Sequence, residues 1–189
     1  MALYFDDPGD IRMQNPVREG RVAHLVDPSA IEALDVMGPT IQFLTLPDEA
    51  NGTPCIMRGT IPPDVFVPLH SHPDFETFLA ISGEVEGLAQ GADGFEWIPI
   101  KSGDVFHVPG NVRHAFRNRS QEPSVAIVVS TPTMGRFFRD IGRPVIAGAP
   151  LSPPSPQVIR HFLETAERYG HWNATPEENQ RIGLSLMTS

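Results

Sequence analysis

Between residues 40 and 131, short runs of apolar, β-branched and aromatic residues are interrupted at close intervals by Gly, Pro, Asn and Asp. This spacing is typical of antiparallel strands in a sandwich or barrel. Apolar residues do not recur there at the three- and four-residue intervals of a helix, so the stretch is predicted to be all-β. The predicted strands are Thr40–Leu46, Cys55–Ile61, Val65–His70, Glu76–Ile81, Glu84–Ala89, Phe95–Ile100, Asp104–Val108, Val112–Arg117 and Val125–Thr131.

Beyond Thr131 the pattern predicts helices. The strongest is Pro156–Tyr169, with Ser155 as its N-cap and Gly170 as its left-handed stop. Its apolar side chains form one stripe, which we expect to cover the barrel mouth or to pair with another subunit. Shorter helices are predicted at Met134–Ile141 and from Thr175 onward.

The chain of 189 residues fits a single domain, 1–189. We expect an N-terminal arm over 1–39, a barrel over 40–131 and a helical C-terminal extension over 132–189. The arm is expected to lie along the barrel.

Charge and hydropathy exclude several classes of function. A formal charge of −9 opposes the basic surface that nucleic acid requires, so no nucleic-acid partner is predicted. No window approaches the roughly 18 apolar residues of a membrane-spanning helix. The first residues lack the features of a secretory signal, which predicts a cytoplasmic protein. Cys55 is the single cysteine and is expected to be a buried, unreactive side chain.

The segment from His70 to Glu76 carries the strongest functional signal. Side chains two apart on a strand point to the same face, so His70 and His72 direct both imidazoles at one point inside a barrel. Pro73 keeps His72 extended, which excludes a helical turn joining His72 to Glu76. We expect a hairpin turn at Ser82-Gly83 to send the chain back and leave Glu76 opposite the histidines.

A second segment, residues 103–118, has the same order of features: a turn, a strand, a Pro-Gly-Asn turn, and a strand carrying His114. This histidine is the fourth candidate ligand. Three imidazoles and one carboxylate suit one divalent transition metal ion, namely Fe, Ni, Mn, Co, Cu or Zn, better than Mg or Ca. Four protein ligands leave two positions of an octahedral ion open, which favours a reactive site over a structural one.

These two segments resemble the paired motifs of the cupin superfamily, His-x-His-x(3)-Glu-x(6)-Gly and Gly-x(5)-Pro followed by His and Asn. The resemblance implies a double-stranded β-helix, or jelly-roll barrel. The metal ligands of the family correspond here to His70, His72, Glu76 and His114. Its turn and scaffold positions correspond to Gly83, Gly103, Pro109 and Asn118. Two positions depart from the pattern, because Asp64 and Asn111 stand where glycine is usual; Asn tolerates the left-handed conformation, so we expect the turn at Asn111 to form.

The resemblance also suggests a function. The superfamily includes dioxygenases, isomerases, epimerases, decarboxylases, sugar-binding regulators and storage proteins. The C-terminal extension containing Gly-Arg-Phe-Phe-Arg-Asp-Ile-Gly-Arg-Pro is similar to that of one-barrel quercetinase-like proteins. We therefore expect a metal-dependent dioxygenase acting on a small phenolic or enol-bearing compound, with Glu76 as both ligand and general base. A non-redox isomerase or lyase and a non-catalytic small-molecule-binding protein are the alternatives.

The walls of the predicted site are apolar. On their predicted strands, Phe78 and Ala80 point to the same side as Glu76, and Phe116 points to the same side as His114. These three side chains are therefore predicted to form a pocket for an apolar or aromatic small molecule. A homodimer is expected, since it is a common state among oligomers. His24, His161 and His171 are expected to be exposed to solvent, and His107 is expected to be structural or to lie on the surface.

Overall fold

Two antiparallel sheets face one another in the computed structural model, which describes residues 23–47, 53–91, 94–145 and 154–185. Each of the nine predicted strands is present, with ends shifted by a few residues. The strands are β1 (Leu34–Asp35), β2 (Thr40–Phe43), β3 (Cys55–Ile61), β4 (Phe66–Ser71), β5 (Glu76–Ser82), β6 (Glu84–Gly91), β7 (Gly94–Lys101), β8 (Val105–Val108), β9 (His114–Arg117), β10 (Ser124–Ser130), β11 (Arg143–Pro144) and β12 (Trp172–Asn173).

The order of the strands is that of a jelly roll. One sheet has seven strands in the order β11-β1-β2-β3-β10-β5-β8, and the other has five in the order β12-β4-β9-β6-β7. Consecutive strands such as β4 and β5 lie in different sheets, so the chain crosses repeatedly between the two layers. The predicted all-β double-stranded β-helix with helical additions is confirmed.

The predicted hairpin at Ser82-Gly83 is wrong. Strand β5 pairs with β8 and β10, whereas β6 pairs with β7 and β9, so β5 and β6 belong to different sheets. Gly83 has a φ of +73°, and a Cβ there would collide with the carbonyl oxygen of Pro123. The glycine therefore permits a tight crossover between the sheets. The dipeptide Ser82-Gly83 is compatible with a hairpin as well as a crossover, so the local sequence does not distinguish the two.

The helices follow the predicted capping. They are α1 (Pro132–Ile141), α2 (Pro156–Arg168) and α3 (Pro176–Arg181), and a 3-10 turn covers Pro28–Ala30. Ser155 caps α2 and Gly170 after it is left-handed with φ +74°, while Thr175 and Glu178 form a capping box on α3. No helix in the described ranges is both long and apolar enough to cross a membrane.

Helices α1 and α2 pack on the seven-stranded sheet. Phe137 of α1 and Ala166 of α2 belong to a buried cluster that includes Phe43 and Met57 of the sheet, with Phe162 packed against it. Cys55 is 1% exposed and lies in the same cluster, as the sequence predicted. Phe162 and Ala166 of the apolar stripe of α2 thus cover the barrel, whereas Ile159 and Leu163 are exposed.

The N-terminal and C-terminal segments both add strands to the sheets. Strand β1 pairs with β2 and β11, so residues 34–35 of the predicted arm belong to the seven-stranded sheet, while residues 1–22 lie outside the described residues. Strand β12 pairs with β4. The buried side chain of Asn179 accepts a hydrogen bond from Leu69 N at 2.9 Å and so ties α3 to β4.

Candidate metal centre

Three histidines from two neighbouring strands converge inside the barrel. His70 lies on β4, His72 follows directly after it, and His114 begins β9, where it is the register partner of His70. One ring nitrogen from each lies within 4.8 Å of the others. Because side chains alternate along a strand, His70 and His72 both point to the inner face of the sheet, as expected for residues two apart.

The second nitrogen of each imidazole is held by the main chain. Nδ1 of His70, His72 and His114 lies 2.8, 2.8 and 2.9 Å from the carbonyl oxygens of Pro68, Asp74 and Val112, respectively. Because a carbonyl oxygen only accepts, each Nδ1 must carry the proton. The Nε2 lone pairs of His70 and His114 are then available to a metal ion, whereas Nε2 of His72 donates a hydrogen bond to Glu76 and would bind a metal ion only after losing that proton.

Glu76 completes the group from the opposite sheet. Its Oε2 lies 3.2 Å from Nε2 of His72 and 3.5 Å from Nε2 of His114. His72, Glu76 and His114 are 2%, 4% and 1% exposed. The structure therefore brings all four predicted ligand residues to one buried point.

Polar contacts hold the turn between His72 and Glu76 in place. Ser130 Oγ donates to Phe75 O at 2.6 Å, and Thr131 Oγ1 bonds the carboxylate of Asp74. From the other side, the amide of Asn111 donates to His72 O at 2.6 Å. The turn is thus fixed by β10 and by the loop before β9, which orients two of the predicted ligand residues.

The charges of the site are strongly coupled. Burial would raise the pKa of Glu76, but the adjacent imidazoles of His114 and His72 outweigh it and hold that pKa far below its usual range. Burial would lower the pKa of His72, but its hydrogen bond to Glu76 outweighs burial and raises it. Burial, with the nearby His114 and His72, lowers the pKa of His70 well below its usual value. The site therefore offers an ionised carboxylate and a neutral His70 at neutral pH.

These residues fit a transition metal ion. Nε2 of His114 is buried and has no hydrogen-bond partner among the described residues, an arrangement that is costly unless something else binds it. An ion coordinated by three imidazoles would use this lone pair, and the donor set is that preferred by Fe, Co, Ni, Cu and Zn.

An apolar cavity of about 180 Å³ adjoins the histidines. Phe78, Ala80 and Phe116, the predicted wall residues, all line it. The rings of Phe78 and Phe116 lie 4.7 Å apart, and Phe116 contacts His114 edge-on at 5.9 Å between centroids. The cavity is thus lined by aromatic and aliphatic side chains next to the predicted metal ligands, and its role as a substrate pocket stays a prediction.

The expectation that His171 is solvent-exposed is wrong. Its ring packs 4.0 Å from that of Phe137 and 5.2 Å from that of His72, and it lines the cavity. Burial, together with the nearby His72, lowers its pKa to about 4. The aromatic residues Tyr169 and Trp172 on either side of His171 indicate that this segment packs against the protein. They do not indicate which part of the protein it packs against. His24 and His161 are exposed as predicted, and His107 is exposed with Nδ1 2.9 Å from Thr77 Oγ1.

The two residues that depart from the family motif have the backbone conformation that glycine would adopt. Asp64 and Asn111, which replace glycines, have φ values of +61° and +64°, so both adopt the conformation that glycine would supply. Asn118 is 1% exposed and donates to the carbonyls of Ile61 and Glu122 at 2.9 and 2.8 Å. The two substitutions therefore preserve the turns around the site.

Comparison with known proteins agrees with the barrel. Residues 57–130 match the model of the family described as Cupin domain, and they contain all four predicted ligand residues. Residues 57–130 therefore form a cupin domain, in agreement with the resemblance that the two motifs suggested. No curated protein matches the sequence.

Several solved structures are similar in fold. A predicted oxalate decarboxylase from Thermotoga maritima is 22% identical with a TM-score of 0.48, and the match covers 57% of this chain and 98% of that one. A Cupin 2 conserved barrel domain protein from Salinispora arenicola is 25% identical with a TM-score of 0.47, covering 58% and 90%. The DMSP lyase DddQ from Ruegeria pomeroyi is 26% identical with a TM-score of 0.38, covering 43% and 40%.

Proposed function

We propose that the protein is a metal-dependent dioxygenase acting on a small phenolic or enol-bearing compound. The observation that carries the proposal is the group of three imidazoles, each offering Nε2, beside an ionised Glu76 and an apolar cavity. A divalent transition ion held by these residues would supply Lewis acidity and access to dioxygen chemistry.

Glu76 has two roles in this proposal. As an ionised carboxylate it would be the one anionic ligand of the ion and would lower its net charge. When substrate enters, the same carboxylate would accept the proton of the substrate hydroxyl, because it lines the cavity beside Nε2 of His72 and His114. The hydrogen bond to His72 orients the carboxylate for both roles.

The cavity walls would select and orient the substrate. Phe78 and Phe116 present aromatic faces next to His114, where the ring of a phenolic compound would pack. Holding the hydroxyl at the metal end and the ring between these faces lowers the entropic cost of reaching the reactive geometry. The same walls exclude water from the buried ligands.

The test combines metal analysis with dioxygen uptake. Protein purified without added metal is analysed by inductively coupled plasma mass spectrometry, then assayed with an oxygen electrode against flavonols and diketones. We expect about one transition ion per chain and substrate-dependent dioxygen consumption. Turnover of the same compounds under strict anaerobiosis would contradict the dioxygenase and indicate the isomerase or lyase alternative. Saturable binding without turnover, persisting in His114→Ala, would indicate a binding protein instead.

We also propose that the protein acts as a homodimer. Support comes from exposed apolar side chains on the outer face of the seven-stranded sheet, where Leu79, Ile81 and Val105 are 41%, 48% and 62% exposed. Apolar surface of this kind is stabilised when a second subunit covers it.

A further inference from the structure

His171 is the one histidine of the cavity to which neither the motif nor the proposed reaction gives a role. It follows α2 after the left-handed Gly170, and its amide donates to Ala166 O at 2.9 Å. Its ring packs on Phe137 with centroids 4.0 Å apart. Backbone and side chain are therefore both fixed, so the position of the imidazole is set by the fold.

The imidazole of His171 has an unmet hydrogen bond. Its Nε2 is buried, and no residue in the described part of the chain bonds it. The only other side-chain atom in this condition there is Nε2 of His114, whose proposed partner is the metal. Because buried polar atoms in proteins nearly always have a partner, a molecule in the cavity is the natural partner of His171.

The hydrogen-bond partner of His171 is not the metal ion. The ligand nitrogens that lie within 4.8 Å of one another belong to His70, His72 and His114, and His171 is outside this group. Its ring lies beyond that of His72, at 5.2 Å between centroids. His171 therefore lies beside the group of three histidines and not within it, and a molecule that fills the cavity can contact both His171 and this group.

The C-terminal segment holds this arrangement rigidly against β4. Asn173 of β12 is the register partner of His70 and, like His171, lines the cavity. Asn179 bonds the amide of Leu69, the residue before His70. The extension is thus built onto the strand that carries two of the predicted ligands, so His171 keeps its place relative to them.

We propose that His171 is a substrate-binding residue, which hydrogen-bonds one oxygen of a compound whose adjacent oxygen binds the metal. This inference rests on the proposed function and narrows its substrate class. The compound carries two neighbouring oxygens, as in a catechol, an enediol or a 2-hydroxy-enone, on one end of an apolar body. The rest of the cavity, lined by Phe78, Phe137 and Phe162, accommodates that body.

The test measures probe binding to the cobalt-loaded protein. The probes are 4-nitrocatechol, with two adjacent oxygens, and 4-nitrophenol, with one, both titrated by absorbance. The variants are His171→Phe, which keeps the ring packing on Phe137 but removes both nitrogens, and His171→Gln, which retains hydrogen-bonding atoms. The control is His161→Phe, which alters an exposed histidine of α2. Circular dichroism and cobalt content verify that each variant is folded and loaded.

We expect His171→Phe to lower the affinity for 4-nitrocatechol about three- to tenfold, which is the effect of losing one hydrogen bond. The affinity for 4-nitrophenol should be unchanged. His171→Gln should recover part of the loss, and His161→Phe should match the wild type. Equal effects on both probes, no effect on 4-nitrocatechol, or a loaded wild type that binds neither would overturn the inference about His171. A wild type that holds no transition metal would instead contradict the proposed function, and the inference with it.

Discussion

Nε2 of His72 lies 3.2 Å from Oε2 of Glu76, so the carboxylate already engages one predicted ligand before any metal ion binds. The pair explains why the pKa of His72 is raised although burial alone would lower it. A metal ion must displace a proton from this imidazole, since the protonated ring has no free lone pair. Metal binding at the site is therefore coupled to pH.

The first prediction concerns the pH dependence of metal affinity. As pH falls through the raised pKa of His72, protons compete for its Nε2 and the affinity should fall; above that pKa the competition disappears. His70 adds no competition near neutral pH because its pKa lies well below the usual value. Calorimetric titration with zinc in buffers of different ionisation enthalpy should show more protons released at pH 6 than at pH 8. Equal release at both values would contradict this coupling.

The second prediction concerns the histidine ligands. His114→Ala removes one of three nitrogens and opens a buried space, so we expect less than a tenth of the wild-type metal content after dialysis, because a lost ligand costs at least tenfold in affinity. His107→Ala is the matched control, since His107 is an exposed histidine on β8. The metal content of both variants is measured by inductively coupled plasma mass spectrometry. Full metal content in His114→Ala would exclude His114 as a ligand.

The third prediction separates the two roles of Glu76. Glu76→Gln keeps the size of the side chain but removes its charge and its ability to accept a proton. We expect weaker metal binding, and in protein reconstituted with excess metal a loss of turnover of about a hundredfold or more, the usual contribution of a general base. Oxygen uptake is measured at equal metal occupancy. Full turnover by the metal-loaded variant would show that the carboxylate is not the base.

The sequence predicted the strands and the shared facing of His70 and His72 because both depend on local alternation. The approach of Glu76 to the histidines does not come from the predicted hairpin, since β5 pairs with β8 and β10 in the opposite sheet. His70 and His72 share a face of β4 whatever surrounds them, and the turn at Asn111 tolerates left-handed geometry. His171 was misjudged because its environment is tertiary: the ring that buries it belongs to Phe137, on a different helix. The turn at Gly83 was misjudged for a similar reason, since pairing of β5 with β10 and not β6 is decided by distant residues.

The fourth prediction concerns that crossover. Gly83→Ala should destabilise the protein for two reasons, the left-handed φ, which costs about 1–2 kcal/mol for other residues, and the collision of Cβ with Pro123. Gly103→Ala is the matched control, because Gly103 also has a left-handed φ, +94°, but its added Cβ meets nothing within 4 Å. Urea unfolding should rank Gly83→Ala as the less stable variant. Equal loss in both would mean that the crossover at Gly83 relaxes without cost.

The fifth prediction concerns the homodimer. Leu79 and Val105 are register partners on β5 and β8, and β8 is an edge strand of its sheet, so their side chains form a flat apolar surface that water would otherwise cover. Light scattering should give twice the chain mass of 20.7 kDa. The double variant Leu79→Lys with Val105→Lys should then be a monomer, because charges buried in an interface lack partners.

Helix α2 offers the matched control for this experiment. Ile159 and Leu163 are 40% and 50% exposed, similar to Leu79, but Phe162 and Ala166 of the same stripe already pack on the barrel. Lysine at both positions should leave the dimer intact. Dissociation by the helix variant and not by the sheet variant would place the interface on α2, and a monomeric wild type would contradict the homodimer itself.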